Sequence, residues 1–169
     1  VISISGLGYV FSDQSLSSKI NKTIISMLYK LAFNQKKIKV IFQNKDDKEK
    51  LTKITNLSKK DTILIHGSGI DLNKFRPMKN KDKKIVLFAS RLLISKGIKD
   101  FIDSAKYVED ANFVVTGKFD YDNPDCIDPS YIYENEKKGL IEYWGEKEDM
   151  EKIINKSSVV VLPSYYGEG

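Results

Sequence analysis

The sequence predicts an α/β fold built on a parallel sheet, and three observations carry that prediction. Short apolar runs recur at 85–89, 112–116, 140–143 and 158–162. Segments with helical spacing of apolar residues lie between them, at about 97–108 and 147–155. Loops follow the runs at one end, at 90–96, 117–130, 144–147 and 163–169. Continuous apolar strands alternating with amphipathic helices imply a sheet covered on both faces. In such sheets the ligand sits beyond the carboxyl ends of the strands, where those four loops lie.

Taken from the start, residues 1–12 are apolar and contain Gly6 and Gly8, which suggests a strand end and a tight loop. Leu16, Ile20, Ile24, Leu28 and Leu31 recur at helical spacing, predicting a helix over about 15–34 with one buried face. Residues 39–43 read as a short strand. Residues 46–57 read as a polar helix with Leu51 and Ile54 inward, and 62–65 as a further strand ending at Gly67-Ser68-Gly69. The stretch 71–84 carries Pro77 and a Lys/Asn/Asp run, the pattern of a linker. Beyond it, Ile98, Phe101, Ile102 and Ala105 form the inner face of one helix. Met150, Ile153 and Ile154 share a face of another. The chain begins with Val1 and stops at Gly169 within a loop, so it is expected to be a piece of something longer.

Composition narrows the function. The 169 residues are 41% hydrophobic and 30% charged, as in soluble globular proteins. No apolar run reaches the roughly 18 residues of a membrane span. The single Cys126 excludes an internal disulfide and fits a reducing compartment; with one His besides, a structural zinc site is disfavoured. A net charge of +5 favours an anionic partner, although the Lys-rich tracts 45–60 and 79–84 are interleaved with Asp and Glu like solvated faces. Lys36-Lys37-Ile38-Lys39 after the apolar-striped helix is suited to an anionic bilayer surface. No nucleic-acid module signature occurs and the aromatics do not interleave with the basic clusters, so nucleic acid is not the expected partner.

The chemistry concentrates in Arg91-Leu92-Leu93-Ile94-Ser95-Lys96-Gly97. A strand, a loop with two cations and a helix start form a phosphate site: helix N-termini offer free N–H groups, while Arg and Lys supply charge. Two solvated surface cations are the alternative. Gly6-Leu7-Gly8 and Gly67-Ser68-Gly69 each supply half of a dinucleotide fingerprint without the third glycine, and no P-loop occurs, so plain turns explain both. Glu168, between two glycines in 163–169, has the carboxylate to accept from two sugar hydroxyls, or it is an ordinary polar turn. His66, Cys126 and Trp144 read as structural residues. Trp144 before Gly145 also has the shape to flank a nucleotide base.

Three stretches in order carry a resemblance: 63–71 (ILIHGSGID), 89–97 (ASRLLISKG) and 161–169 (VLPSYYGEG). Together they resemble family four of the retaining glycosyltransferases. The similarity is greatest to bacterial enzymes that extend lipid-linked glycans in capsule, O-antigen and N-glycan assembly, N-acetylgalactosaminyltransferases among them. The resemblance implies a two-domain GT-B fold. Residues 1–70 would be the C-terminal part of the first, acceptor-side domain, 71–84 the linker, and 85–169 the first half of the nucleotide-sugar-binding, Rossmann-like domain. It implies transfer of a hexosyl or N-acetylhexosaminyl group, with retention, from a nucleotide sugar to a lipid-linked or glycan acceptor. A UDP-sugar is the expected donor and GDP-mannose its rival. No cofactor or metal ion is implied.

The same resemblance makes Arg91 and Lys96 the cations on the donor diphosphate and Glu168 the first carboxylate of a Glu-x7-Glu motif near the donor sugar. It sets Gly117, Trp144 and Gly145 beside base and ribose. His66 does not match the family's catalytic-region histidine. The second Glu of the motif would fall beyond Gly169, so this chain alone is expected to be inactive. The implied location is the cytoplasmic membrane face, with peripheral contact. A non-catalytic nucleotide-sugar- or glycan-binding relative is the other reading.

Overall fold

The computed structural model describes residues 1–7, 16–35, 37–67, 69–77 and 84–165, with positions 16–21 described for backbone only. Gly8–Phe11, Lys36, Ser68, most of the Lys/Asn/Asp run at 78–83 and the loop end 166–169 with Glu168 lie outside the described residues. Two compact units part between Gly69 and Ile70.

The first unit contains β1 (Ile2–Ile4), α1 (Leu16–Phe33), β2 (Val40–Phe42), α2 (Lys45–Ile54) and β3 (Thr62–Leu64). Its three strands are parallel in the order β1-β2-β3, with Ile2 opposite Val40 and Val40 opposite Thr62. Its core gathers Phe33, Val40, Phe42, Leu51 and Leu57. Asn44 starts α2 by accepting from the Asp47 N–H at 2.8 Å, while Asp46 and Asp47 favour the positive end of the helix. Leu51 is buried and Ile54 half-buried, as their spacing predicts.

Of the stripe predicted on α1, the side chains of Leu16 and Ile20 lie outside the described residues, and the described part is not buried. Ile24, Met27, Leu28 and Leu31 are 54–64% exposed, and among the described side chains of α1 only Phe33, stacked on the half-buried Tyr29 at 5.6 Å, is fully buried in the core. An 18-residue helix is about 27 Å long, whereas three-residue strands run about 10 Å, so this sheet cannot cover the whole stripe.

The second unit contains β4 (Ile85–Ala89), α3 (Ile98–Ala105), β5 (Asn112–Thr116), α4 (Pro129–Lys137), β6 (Glu142–Gly145), α5 (Met150–Lys156) and β7 (Val159–Val160). All four strands are parallel, in the order β6-β5-β4-β7. Phe88, Phe101, Ile102, Val115, Ile132 and Ile141 build the larger core on one face; Leu87, Val114 and Ile153 form the other. Burial of successive residues on both faces explains why these strands read as unbroken apolar runs. Ile98, Phe101 and Ile102 are buried as expected. Ile154 is not: Ile153 and Met150 pack inward, and Ile154 is exposed, because the short α5 turns only a narrow face to the sheet. The segment after Gly69 docks on this unit, through Lys74–Glu151 (3.6 Å) and the Asn155 amide donating to the Arg76 carbonyl (2.9 Å).

Helix α4 was not among the expected elements, since 117–130 reads as irregular loop. Its signals are present: Asp128 accepts from the Ser130 N–H at 2.9 Å, Pro129 opens the helix, and Ile132 and Asn135 turn inward. Hydrogen bonding from Ser130 holds the Asp128 carboxyl below its ordinary pKa. A depressed carboxyl contributes stability that is complete above its unfolded value and is lost as pH falls through the folded one. Asp128→Asn keeps the cap and removes that titration. Thermal melts between neutral and acidic pH should therefore show a shallower loss of stability in Asp128→Asn than in wild type, and Asp128→Ala should be less stable than both at neutral pH.

Candidate functional site

The strand order locates the site. From β4 the chain proceeds outward through β5 to β6, then returns to the other side of β4 as β7. The order reverses between β4 and β7, and ligands of open parallel sheets bind outside the carboxyl ends at such a switch point. The loops flanking it are 90–96, with Arg91 and Lys96, and the one after β7 that leads toward Glu168.

The 90–96 loop is anchored by its apolar residues. Leu92 and Leu93 are buried, which turns the neighbouring Arg91 outward, its side chain half-exposed. Residues 94–96 form a short 3-10 turn carrying half-buried Lys96, and Gly97 then starts α3 with φ 75°. A Cβ on Gly97 would stand 2.1 Å from the Pro163 carbonyl oxygen. Two loops thus meet where no side chain fits. The Tyr165 N–H donates to the Ser95 carbonyl at 3.0 Å, and the Tyr165 hydroxyl bonds Asp100 in the first turn of α3, which raises the phenol's pKa.

The loop after β5 straps the other side. Leu92 N–H donates to Lys118, Ile94 N–H to Asp125, and Ile127 N–H back to Leu92, at 2.9–3.0 Å. A Cβ on Gly117 would lie 1.8 Å from the Ser90 oxygen. Gly117 N–H donates to Gly145 at 3.0 Å, and the Tyr143 hydroxyl donates to the Gly117 carbonyl at 2.9 Å; burial raises the Tyr143 pKa. Gly117 and Gly145 are therefore adjacent. Trp144 packs with Leu87, Val114 and Ile153 while its indole N–H donates to Glu142 at 3.0 Å. His66 is exposed after β3 in the first unit, and Cys126 is half-buried in the strap.

Two acidic residues of the strap escaped the sequence reading. Asp120 accepts from Arg91 Nη1 at 2.7 Å, and Asp125 accepts from the Ser95 N–H at 3.0 Å. They lie 29 and 30 residues from their partners, beyond any local spacing rule. Among the described residues no cluster of three His, Cys, Asp or Glu side chains could hold a metal ion.

Comparison with known proteins is decisive at this point. The model of the family described as glycosyl transferases group 1 matches residues 69–169, well over half of the chain. The chain belongs to the glycosyl transferases group 1 family. A Campylobacter jejuni relative, N,N'-diacetylbacillosaminyl-diphospho-undecaprenol alpha-1,3-N-acetylgalactosaminyltransferase, is 32% identical over 177 residues, covering 96% of this chain and 45% of that protein. Anabaena HepE, solved with UDP-glucose, superposes with a TM-score of 0.73 at 16% identity over 99% of this chain and 47% of its own. A glycosyltransferase from Rickettsia africae gives 0.65 at 16% identity, over 86% and 42%. These likenesses show the parallel α/β, Rossmann-like fold of GT-B glycosyltransferases. This group 1 chain spans about half the length of the relatives it matches.

The two close approaches predict strong effects from small changes. Gly97→Ala and Gly117→Ala each combine a positive φ with a Cβ driven into backbone. Each should lower the unfolding free energy by at least about 2 kcal/mol in denaturant titrations, whereas Gly139→Ala, with open space around it and a similar φ to Gly97, should lose only the conformational part, about 1–2 kcal/mol.

Proposed function

We propose that this chain supplies the donor half-site of a retaining glycosyltransferase of family four. The protein transfers a hexosyl or N-acetylhexosaminyl group from a nucleotide sugar to a lipid-linked glycan acceptor in bacterial surface-glycan assembly. The observation that carries this reading is the cation loop itself: Arg91 and Lys96 at the switch point, between two strapping loops and ahead of α3. Loss of a nucleoside diphosphate from the sugar leaves negative charge on the diphosphate, and fixed cations beside a helix N-terminus stabilise that charge without a metal ion. Glu168, four residues past Ser164 on the loop after β7, is assigned to the donor sugar. Gly117 and Gly145, held together by backbone hydrogen bonding, offer close approach to base and ribose.

The acceptor class is supported by the Campylobacter relative, whose name carries a diphospho-undecaprenol-linked sugar, and the UDP donor by HepE, solved with UDP-glucose. The first unit is read as part of the acceptor-side domain. On it, the exposed Ile24, Met27, Leu28 and Leu31 of α1 lie among Lys22 and Lys30, the composition of a surface that rests on an anionic bilayer; no described helix is long and apolar enough to cross one. Contact with the inner face of the cell membrane is therefore assigned to α1.

Arg91→Ala should weaken UDP binding by about 1–3 kcal/mol, the range for a lost charge-assisted contact. Isothermal titration of the full-length protein with UDP and GDP, wild type against variant, checks this. Wild-type affinity in Arg91→Ala would sink the assignment, and selective binding of GDP would keep the site and replace the donor.

A further inference from the structure

We propose that Asp120 is a positioning residue for donor binding, acting through Arg91. The proposal rests on the reading of Arg91 as a diphosphate ligand. Asp120 Oδ2 takes one Nη of Arg91 at 2.7 Å, with the Asp120 side chain 27% and the Arg91 side chain 53% exposed. A guanidinium is a rigid planar fork of five donors, so a bond at one nitrogen fixes the plane and leaves other N–H groups to face a second anion.

Stability does not explain the pair. Ion pairs this exposed contribute about 0–1 kcal/mol. The strap that carries Asp120 is already held by the Leu92–Lys118, Ile94–Asp125 and Ile127–Leu92 backbone bonds and by the close approach of Gly117 to Ser90. Asp125, on the same strap, accepts from the backbone N–H of Ser95, next to Lys96. One loop thus sets both ends of the cation loop: Asp120 directs the side chain of Arg91, and Asp125 holds the backbone at Lys96.

The proposal has a sign that simple electrostatics opposes. A carboxylate near a diphosphate repels it, so deleting Asp120 would tighten binding if Asp120 acted only by its charge. If Asp120 orients Arg91, deletion weakens binding, and does so only while Arg91 is present.

A double-mutant cycle in the full-length protein separates these cases. UDP and GDP are titrated into wild type, Arg91→Ala, Asp120→Ala and the double variant, and the tighter-binding nucleotide is carried forward. Asp120→Ala should weaken binding about tenfold in the wild-type background and by less than about twofold in the Arg91→Ala background. Asp120→Asn keeps an oxygen acceptor at the same reach and should restore affinity to within about threefold of wild type. Unchanged or tighter binding by Asp120→Ala overturns the proposal, as does an equal loss in both backgrounds, which marks a structural role. If Arg91→Ala itself leaves affinity unchanged, the diphosphate reading fails first and this proposal falls with it.

Discussion

Everything at the carboxyl edge of the second unit depends on two places where backbone passes backbone with no room for a side chain. At one, the Ser90 carbonyl presses against Gly117; at the other, the Pro163 carbonyl presses against Gly97. Each contact joins the cation loop to a neighbour, one on the strand that leads outward through the sheet and one on the strand beyond the reversal. Three loops from strands β4, β5 and β7 consequently form one layer, cross-linked by hydrogen bonds between main-chain atoms. The points from which the Arg91 and Lys96 side chains start are then set by backbone geometry and by burial of Leu92 and Leu93.

This arrangement explains why charge can be concentrated where it is. Parallel strands point all their carboxyl ends one way, and the helix after β4 presents its unsatisfied N–H groups at the same edge. Arg91 stays partly in water, so its charge needs no internal compensation to be tolerated, while the apolar residues beside it supply the loop's rigidity. Polar function and apolar anchoring are divided between adjacent residues of a single heptapeptide. That division is what makes the short motif informative.

Much of this was legible because it follows from local periodicity. Unbroken runs at 85–89 and 112–116 announce strands buried on both faces, and Ile98, Phe101 and Ile102 announce the helix between them. The cation loop could be placed at the ligand edge from strand polarity alone. Three things were not legible, for separate reasons. Helix α4 is short and polar and lies after a long loop, so its Asp128-Pro129 start was outweighed by the irregular composition around it. The α1 stripe has correct helical spacing, but spacing reports what a helix is able to bury and not what lies against it. Asp120 and Asp125 meet the cation loop across two different strand ends, a contact created by the β4–β5 register and invisible to any window along the chain. Gly117 was singled out only through resemblance, and its steric reason, the Ser90 carbonyl, emerges from the same register.

Long cationic side chains bind anions well only if the cost of ordering them is met before the ligand arrives. Immobilising such a side chain on binding costs about 0.5–1.5 kcal/mol. Under the proposed reading, part of that ordering is done in advance. Asp120 fixes the guanidinium of Arg91, and the 3-10 turn and Gly97 fix the start of the Lys96 side chain. The acidic residues beside the cations therefore do not contradict an anion site. Their bonds run to one edge of the Arg91 guanidinium and to the backbone N–H of Ser95. Under the proposed donor reading, a diphosphate would meet charges already in position, and more of the Coulombic attraction would remain as binding and as stabilisation of the departing group.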